Sequence, residues 1–437
     1  MTQGRRVVIT GVGPLLSLGI GRQSVIEGLG AVRTGLTLHT ELLDGTSWES
    51  FYLHEVPAFD ITEIGLEPSV LEEIFEARNA SDDRDLQYLI SCVKLALDDS
   101  RLVFDPHNNN IGVILTHENP GLDRYTLKII NELYNCLKSP SFKTAPTPQE
   151  VADYLYKRYS TTVYDLQTFM YLYYVCRTFG CHGFSIFINN ACASGLYAIE
   201  SASSRIRAGK NDIMIIAAAD HPLRPFKYRW FKELGLYASD GKIKPFDRKR
   251  NGFVLGDGAG AIVLEDLSHA VKRGAHIYAE YLGGGFSLDS WKVTVPDVDG
   301  DYYLKALREA LYNSEVRPEE IDLVNPHGVG TSLGDRYEAR VINDVFVNSS
   351  KQPLISAFKP LLGHTLGGSA LTETILLLLC IDTSNIPPTM NVDEVDPELK
   401  IKVVTQATQA KVKIAVKMAN GFAGYNAAAV FRKVDSA

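Results

Sequence analysis

The sequence lacks any apolar run of the roughly 20 residues that a membrane helix needs; the longest runs, such as 375–381, fall well short. No signal-type leader is expected from its first residues: Met1-Thr2-Gln3-Gly4-Arg5-Arg6 enters an apolar stretch that is too short and runs straight into glycines. It lacks an excess of positive charge. With 44 Lys and Arg against 52 Asp and Glu the net charge is −8, which argues against a general nucleic-acid binder. It also lacks a cysteine pattern. Cys92, Cys136, Cys176, Cys181, Cys192 and Cys380 fit no zinc spacing, and a chain of 437 residues needs no disulfide staples. No low-complexity tract, charge block or sequence repeat is present. These absences lead to an expected cytoplasmic protein with reduced thiols, no membrane span and no metal.

What is there is ordinary in bulk and specific in detail. An apolar fraction of 45% and a charged fraction of 22% are those of a globular chain, and the length favours two core units. Short β-branched runs alternate with longer helical patterns. Strands are predicted at 6–10, 111–116, 185–189, 212–217, 259–264, 277–281, 321–324, 354–357, 413–417 and 427–431. Helices are predicted at 85–97, 195–208, 302–314 and 370–379. Such alternation marks an α/β protein with buried, partly parallel sheets. A boundary is expected near 264–273, dividing the chain into residues 1–265 and 266–437. The Ser-, Pro- and Thr-rich stretch 137–150 reads as a surface loop. The Tyr-rich segment 154–174 is expected to line a cavity, form a subunit interface or simply pack in the core.

The chemistry starts at Asn190-Ala191-Cys192-Ala193-Ser194-Gly195. An apolar strand leads in and a helical run leads out. A cysteine at such a turn sits near a helix N-terminus, whose partial positive charge favours thiolate. Taken alone, Cys192 would be a small buried hydrophobe. Two histidines alter that weighting. His327, in Asn325-Pro326-His327-Gly328, and His364, in Leu362-Gly363-His364-Thr365, each follow a predicted strand in a glycine-containing turn. In α/β sheets ligands bind at that edge.

The motif set resembles the β-ketoacyl synthases of the elongating, thiolase-fold type. The likeness runs over almost the whole chain and is weakest at 118–182. It begins with Arg5-Arg6-Val7-Val8-Ile9-Thr10-Gly11 and includes Ala191-Cys192-Ala193-Ser194-Gly195, then Pro245-Phe246-Asp247 through Gly256-Asp257-Gly258. It continues with His327-Gly328 through Thr331, Gly334-Asp335 with Glu338, Lys359, Gly363-His364-Thr365-Leu366-Gly367, and Gly421-Phe422-Ala423-Gly424-Tyr425-Asn426. The resemblance implies five layers, αβαβα, built from two similar halves, the first carrying the nucleophile and the second the two histidines. It implies that Cys192 takes an acyl group as thioester and that His327 and His364 face the thiol and a malonyl unit. Lys359 and Glu373 would support them. Phe422 would gate the site, with Thr331, Gly421 and Ala423 beside the substrate. No cofactor is implied beyond the phosphopantetheine arm of an acyl carrier protein, and a homodimer or a heterodimer with a chain-length-factor subunit is implied as the assembly.

That set suits a decarboxylative Claisen condensation: an activated ester on sulfur, imidazole donors for an enolate oxygen, and backbone N–H groups of Cys192 and Phe422 for the second oxyanion. Alternatives are a non-condensing partner subunit of chain-length-factor type, disfavoured by the retained Cys192, and acyl transfer without decarboxylation. Several positions depart from the family pattern: Asn420 where an aromatic is commoner, Ala423 for glycine, Val329 for threonine, Asp257 for glutamate, and Asn190. Arg224, Lys227, Arg229 and Lys232 form a candidate docking patch for the acidic carrier protein.

Overall fold

The computed structural model describes residues 4–42, 48–76, 83–138, 145–159, 167–221, 226–297 and 299–434. Its main sheet holds, in chain order, β1 Val7–Leu16, β2 Gly112–Thr116, β3 Ser185–Ile188, β4 Ile213–Asp220, β5 Gly258–Asp266, β6 Ala279–Leu288, β7 Leu323–Asn325, β8 Leu354–Ile355, β9 Ile414–Gly421 and β10 Tyr425–Arg432. Across the sheet they run β8-β7-β9-β10-β6-β1-β5-β4-β2-β3, with Gly19–Ile20 folded back on β1. Cut between β6 and β1, the order is one figure drawn twice: first, fifth, fourth, second, third strand of each half. The directions repeat too. The second strand of each half is parallel to both neighbours, β3 and β4 or β8 and β9. The halves join where Val7 to Ile9 pair antiparallel with Tyr281 to Ala279.

Besides Arg22–Gly30 and the short helices Pro68–Leu71, Leu267–Lys272 and Lys359–Leu362, the helices are α1 Arg84–Ser100, α2 Leu122–Leu137, α3 Pro148–Tyr159, α4 Thr168–Phe179, α5 Ser194–Arg207, α6 Phe226–Glu233, α7 Asp301–Asn313, α8 Ser332–Phe346 and α9 Ser369–Thr383. Alternation along the strands sorts their side chains into layers. In β4, Met214, Ile216 and Ala218 join a central core with α5 and α9, while Ile213, Ile215, Ala217 and Ala219 join an outer core with α1 and α4. In β10, Ala427, Ala429 and Phe431 face the same centre, while Ala428 and Val430 face α7 and α8. The result is a five-layer αβαβα thiolase-like fold. Strands covered on both faces read as continuous apolar runs rather than as alternation.

Each of the ten predicted strands has a counterpart, but β1 and β6 run well past their expected ends. The glycines that stop a propensity reading there are what packing requires. A Cβ on Gly13 would stand 2.0 Å from the Cys92 carbonyl oxygen of α1, and one on Gly285 would stand 2.0 Å from that of Ala306 in α7. Both halves use the same device to let a helix lie close on the sheet. Residues Leu366–Thr383 are long and apolar enough to cross a membrane, yet 89% of that stretch is buried in this fold. Helices α2, α3, α4, α6 and α8 and the hairpin Leu36–Leu42 with Trp48–His54 have no counterpart among the expected elements. Within the expected loop, 139–144 lie outside the described residues, 145–147 are irregular and 148–150 already belong to α3. In the Tyr-rich segment Tyr171 and Tyr174 pack in the outer core, while Tyr156 and Tyr173 are exposed; residues 160–166 lie outside the described residues.

Candidate active site

β3 ends at Ile188 and α5 begins at Ser194. The turn between them is tied by one hydroxyl: Asn190 N–H donates to Ser194 Oγ at 2.7 Å, and that oxygen donates to Ala191 O at 2.6 Å. Ala191 takes a left-handed φ of 48°, which lifts Cys192 into the space above the strand ends. Cys192 is buried. Burial pushes its thiol well above the ordinary range, and the Glu118 carboxylate pushes it further; the Lys359 charge opposes both, Asp220 adds to the rise, and the Phe422 N–H, donating to the sulfur, opposes it. Burial thus works against the thiolate that a helix terminus favours.

The two histidines come from the second half. His327 follows β7, and its backbone is held by Glu338 of α8, which accepts from His327 N–H at 2.6 Å and Gly328 N–H at 2.7 Å. Lys359 Nζ lies 3.2 Å from His327 Nδ1 and donates to His327 O at 2.6 Å. An ammonium has only donors, so Nδ1 is the acceptor and the neutral ring carries its proton on Nε2. His364 reaches the same tautomer by another route, because its Nδ1 accepts from Leu366 N–H at 3.2 Å. The rings stand 5.5 Å apart at 78°. Burial, then the Lys359 charge, holds both imidazoles well below their ordinary pKa. Both are therefore neutral donors.

Behind them lies a buried ion network. Glu373 of α9 takes Lys359 on one oxygen at 2.6 Å and Lys417 of β9 on the other at 2.8 Å. Ser369 Oγ adds a third bond at 2.6 Å. Against burial, the Lys359 and Lys417 charges hold Glu373 at about 2. Burial draws Lys417 down to about 8. Glu338, named in the sequence only as part of a motif, anchors the His327 turn, and Lys417 was missed. A lysine inside the apolar strand 414–419 was the available signal.

Cys192, His327, His364 and Phe422 line one cavity of about 630 Å³, together with Thr331, Val329 and Gly421. Lys359 and Glu373 stand behind this lining. Gly421 packs so closely on the cysteine turn that a Cβ there would lie 3.1 Å from Cys192 N. The Phe422 ring rests edge-on at 6.0 Å from Trp230 and at 6.1 Å from Phe231, both of α6. Ala423 takes the left-handed φ of 61°, its N–H donating to Val293 O at 2.6 Å, and it shapes the loop rather than the cavity wall. Thr331 caps α8, accepting from Gly334 N–H at 3.2 Å, and lines the cavity. No described residue of 154–174 lines the cavity, so a tunnel-lining role for the Tyr-rich segment is not supported there.

The candidate docking patch divides. Arg224 lies outside the described residues. Arg229 is half-buried and Lys232 exposed, and both flank Glu49, at 4.0 and 2.7 Å. Lys227 is a correction: its side chain is 12% exposed and turns inward to Glu118 at 3.3 Å and Asp220 at 3.5 Å, since two carboxylates outbid solvent for the ammonium.

Fold and site together define an acyl-transferring condensing enzyme of the thiolase-like class. Residues 4–270 match the beta-ketoacyl synthase N-terminal domain, and residues 278–393 match the C-terminal domain. The chain belongs to the beta-ketoacyl synthase family. It is 31% identical to the 3-oxoacyl-[acyl-carrier-protein] synthase 2 of Vibrio harveyi, over 98% of this chain and 99% of that one. It is 30% identical to the nodulation protein E of Rhizobium leguminosarum, over 98% and 100%. Among solved structures, the ishigamide ketosynthase/chain length factor superposes with a TM-score of 0.83 at 30% identity, covering 99% of this chain and 100% of that one. A type II polyketide synthase acyl-carrier protein in complex with its ketosynthase gives a TM-score of 0.81 at 25% identity, covering 99% and 100%.

Proposed function

We propose that this chain condenses an acyl group held on Cys192 with a malonyl unit carried by an acyl carrier protein. The observation that carries the reading is the shared cavity: one thiol and two neutral imidazoles whose Nδ1 atoms are both engaged, leaving Nε2–H as the free donor on each. In the first step the Cys192 sulfur forms a bond to the acyl carbonyl carbon, the carbon–sulfur bond to the pantetheine arm breaks, and that arm leaves as thiol with the cysteine proton. In the second, the malonyl thioester loses CO2, and its electron pair becomes an enolate whose oxygen accepts from His327 and His364. Each such donor is worth roughly 3 kcal/mol in a transition state. In the third, the enolate carbon attacks the acyl carbonyl, an oxyanion forms facing the N–H groups of Cys192 and Phe422, and the carbon–sulfur bond to Cys192 breaks. One proton is consumed overall, returning the cysteine to its thiol.

The Lys359–Glu373–Lys417 network positions the imidazoles and keeps them neutral. Thr331 and the loop from Gly421 to Ala423 hold the arm and the gate. The likeness to a ketosynthase in complex with its carrier protein supports delivery on a phosphopantetheine arm, with Arg229 and Lys232 as docking residues. The likeness to a ketosynthase/chain length factor supports assembly as a dimer, with itself or with a related chain. We place the division between the halves at 265/266 and the protein in the cytoplasm. The test supplies purified protein with acyl and malonyl groups on carrier protein. Wild type releases CO2 and forms β-ketoacyl product, while Cys192→Ala forms none; equal product from both would overturn the proposal.

A further inference from the structure

The cavity wall is not uniform. Most of it is apolar, with Trp230, Phe231, Leu236, Phe253 and Phe422 among its residues. At the end built from the first half, past the tips of β2 and β3, it carries Glu118 and Lys227 instead. The pair is largely buried, with side chains 19% and 12% exposed, and is 3.3 Å apart. It faces the chemistry, because Glu118 and Lys227 line the same cavity as Cys192 and His364.

The pair is also incompletely satisfied. A lysine has three donors, and Glu118 takes one of Lys227's. Behind them Asp220 is fully buried, and neither of its oxygens receives a hydrogen bond among the described residues; its nearest cation is Lys227, at 3.5 Å. Lys227 thus stands in the cavity wall between two carboxylates, shares Asp220 with His117 at 3.8 Å, and donates only to Glu118 among the described residues. An alkyl chain laid over this spot strips water from an ion pair and returns no hydrogen bond, which is costly. A chain oxygen at the same place accepts from Lys227 or, as a hydroxyl, donates to Glu118.

We propose that Glu118 and Lys227 are specificity-determining residues, and that the acyl group this enzyme accepts carries an oxygen function, ketone or hydroxyl, along its chain rather than being plain alkyl. The inference rests on Cys192 being the acylated nucleophile, and it concerns which acyl group crosses to that sulfur as the donor thiol leaves. Wild-type protein is mixed separately with hexanoyl, 5-oxohexanoyl and 3-hydroxyhexanoyl pantetheine thioesters, and acylation of Cys192 is followed by intact-protein mass. An oxygenated chain is expected to react about tenfold faster or more than hexanoyl, because the plain chain forgoes a hydrogen bond to a charged group. In Lys227→Met the ratio falls to within about twofold of one. Should that variant not fold, because it strands two carboxylates, the charge-balanced pair Glu118→Gln with Lys227→Met gives the same readout. A wild-type ratio near one, a preference for hexanoyl, or a ratio untouched by either variant overturns the inference. No acylation by any of the three would instead bring down the nucleophile assignment, and this inference with it.

Discussion

The two halves of the molecule place a histidine at matching points and surround the two histidines with opposite charges. His117 follows β2, the second strand of the first half; His327 follows β7, the second strand of the other. His117 is buried, with Nε2 2.9 Å from Asp85 and Nδ1 3.8 Å from Asp220. Burial works against its charge, but Asp220 and Asp85 raise it to about 9. His327 is buried as well, yet faces Lys359, and both effects drive it the other way. Position in the fold therefore does not decide protonation; the nearest charges do. In the first half the ring faces two carboxylates, with Nδ1 accepting from Asn119 N–H at 2.9 Å and Nε2 turned to Asp85 at 2.9 Å. The second keeps a neutral ring whose free N–H donates into the cavity. The third strand of each half leads to the same division: β3 to Cys192, β8 to Lys359 and His364.

The largest effect expected is at the charge that makes the second half different. Glu373→Gln leaves Lys359 and Lys417 buried without a counter-ion and should cost about 3–5 kcal/mol in denaturant unfolding. The sign with pH follows from its depressed pKa. Glu373 contributes fully above its ordinary value near 4.5 and loses that contribution as pH falls toward about 2, so acid unfolding of the variant should lack this component. Next, His364→Ala removes one enolate donor and should lower kcat about 10²–10³-fold, with Cys192 acylation far less affected. The comparison breaks if His117→Gln lowers malonyl decarboxylation to the same extent.

The matching histidine supplies a smaller, pH-dependent effect. Raised to about 9, His117 contributes stability in full below its ordinary value near 6.5 and loses it as pH rises through about 9. Between those limits wild type should lose on the order of 1–3 kcal/mol. Asp85→Asn should move the loss to lower pH, read from unfolding curves across that range. The smallest effect is local. Ala423 holds a left-handed φ of 61° that glycine adopts freely, so Ala423→Gly should relieve strain and stabilise the fold by about 1 kcal/mol, read as a rise in Tm.

Much of the fold was legible because it is written locally. Buried parallel strands are apolar runs, and Cys192 and His327 each sit just past one, while a helical turn, Lys359–Leu362, separates His364 from β8. What was not legible depends on partners far away in the chain. Lys227 reads as a surface cation among Arg224, Arg229 and Lys232 until Glu118 and Asp220, more than 100 and 7 positions away respectively, close on it. Lys417 reads as an interruption in a strand until Glu373 of α9 meets it. The thiol's raised pKa is a property of burial, which no turn motif states. Glycines at 13 and 285 look like strand ends in sequence and are contact points in space.

The central claim is that a thiol from one half and two neutral imidazoles from the other carry out a condensation with loss of CO2. The most direct measurement is a single turnover. Protein acylated on Cys192, as shown by intact mass, is mixed with malonyl-carrier protein, and CO2, free Cys192 and β-ketoacyl product are counted together. The account predicts one of each per acylated site. Loss of the acyl group from Cys192 without matching CO2 would contradict it and leave acyl transfer without decarboxylation.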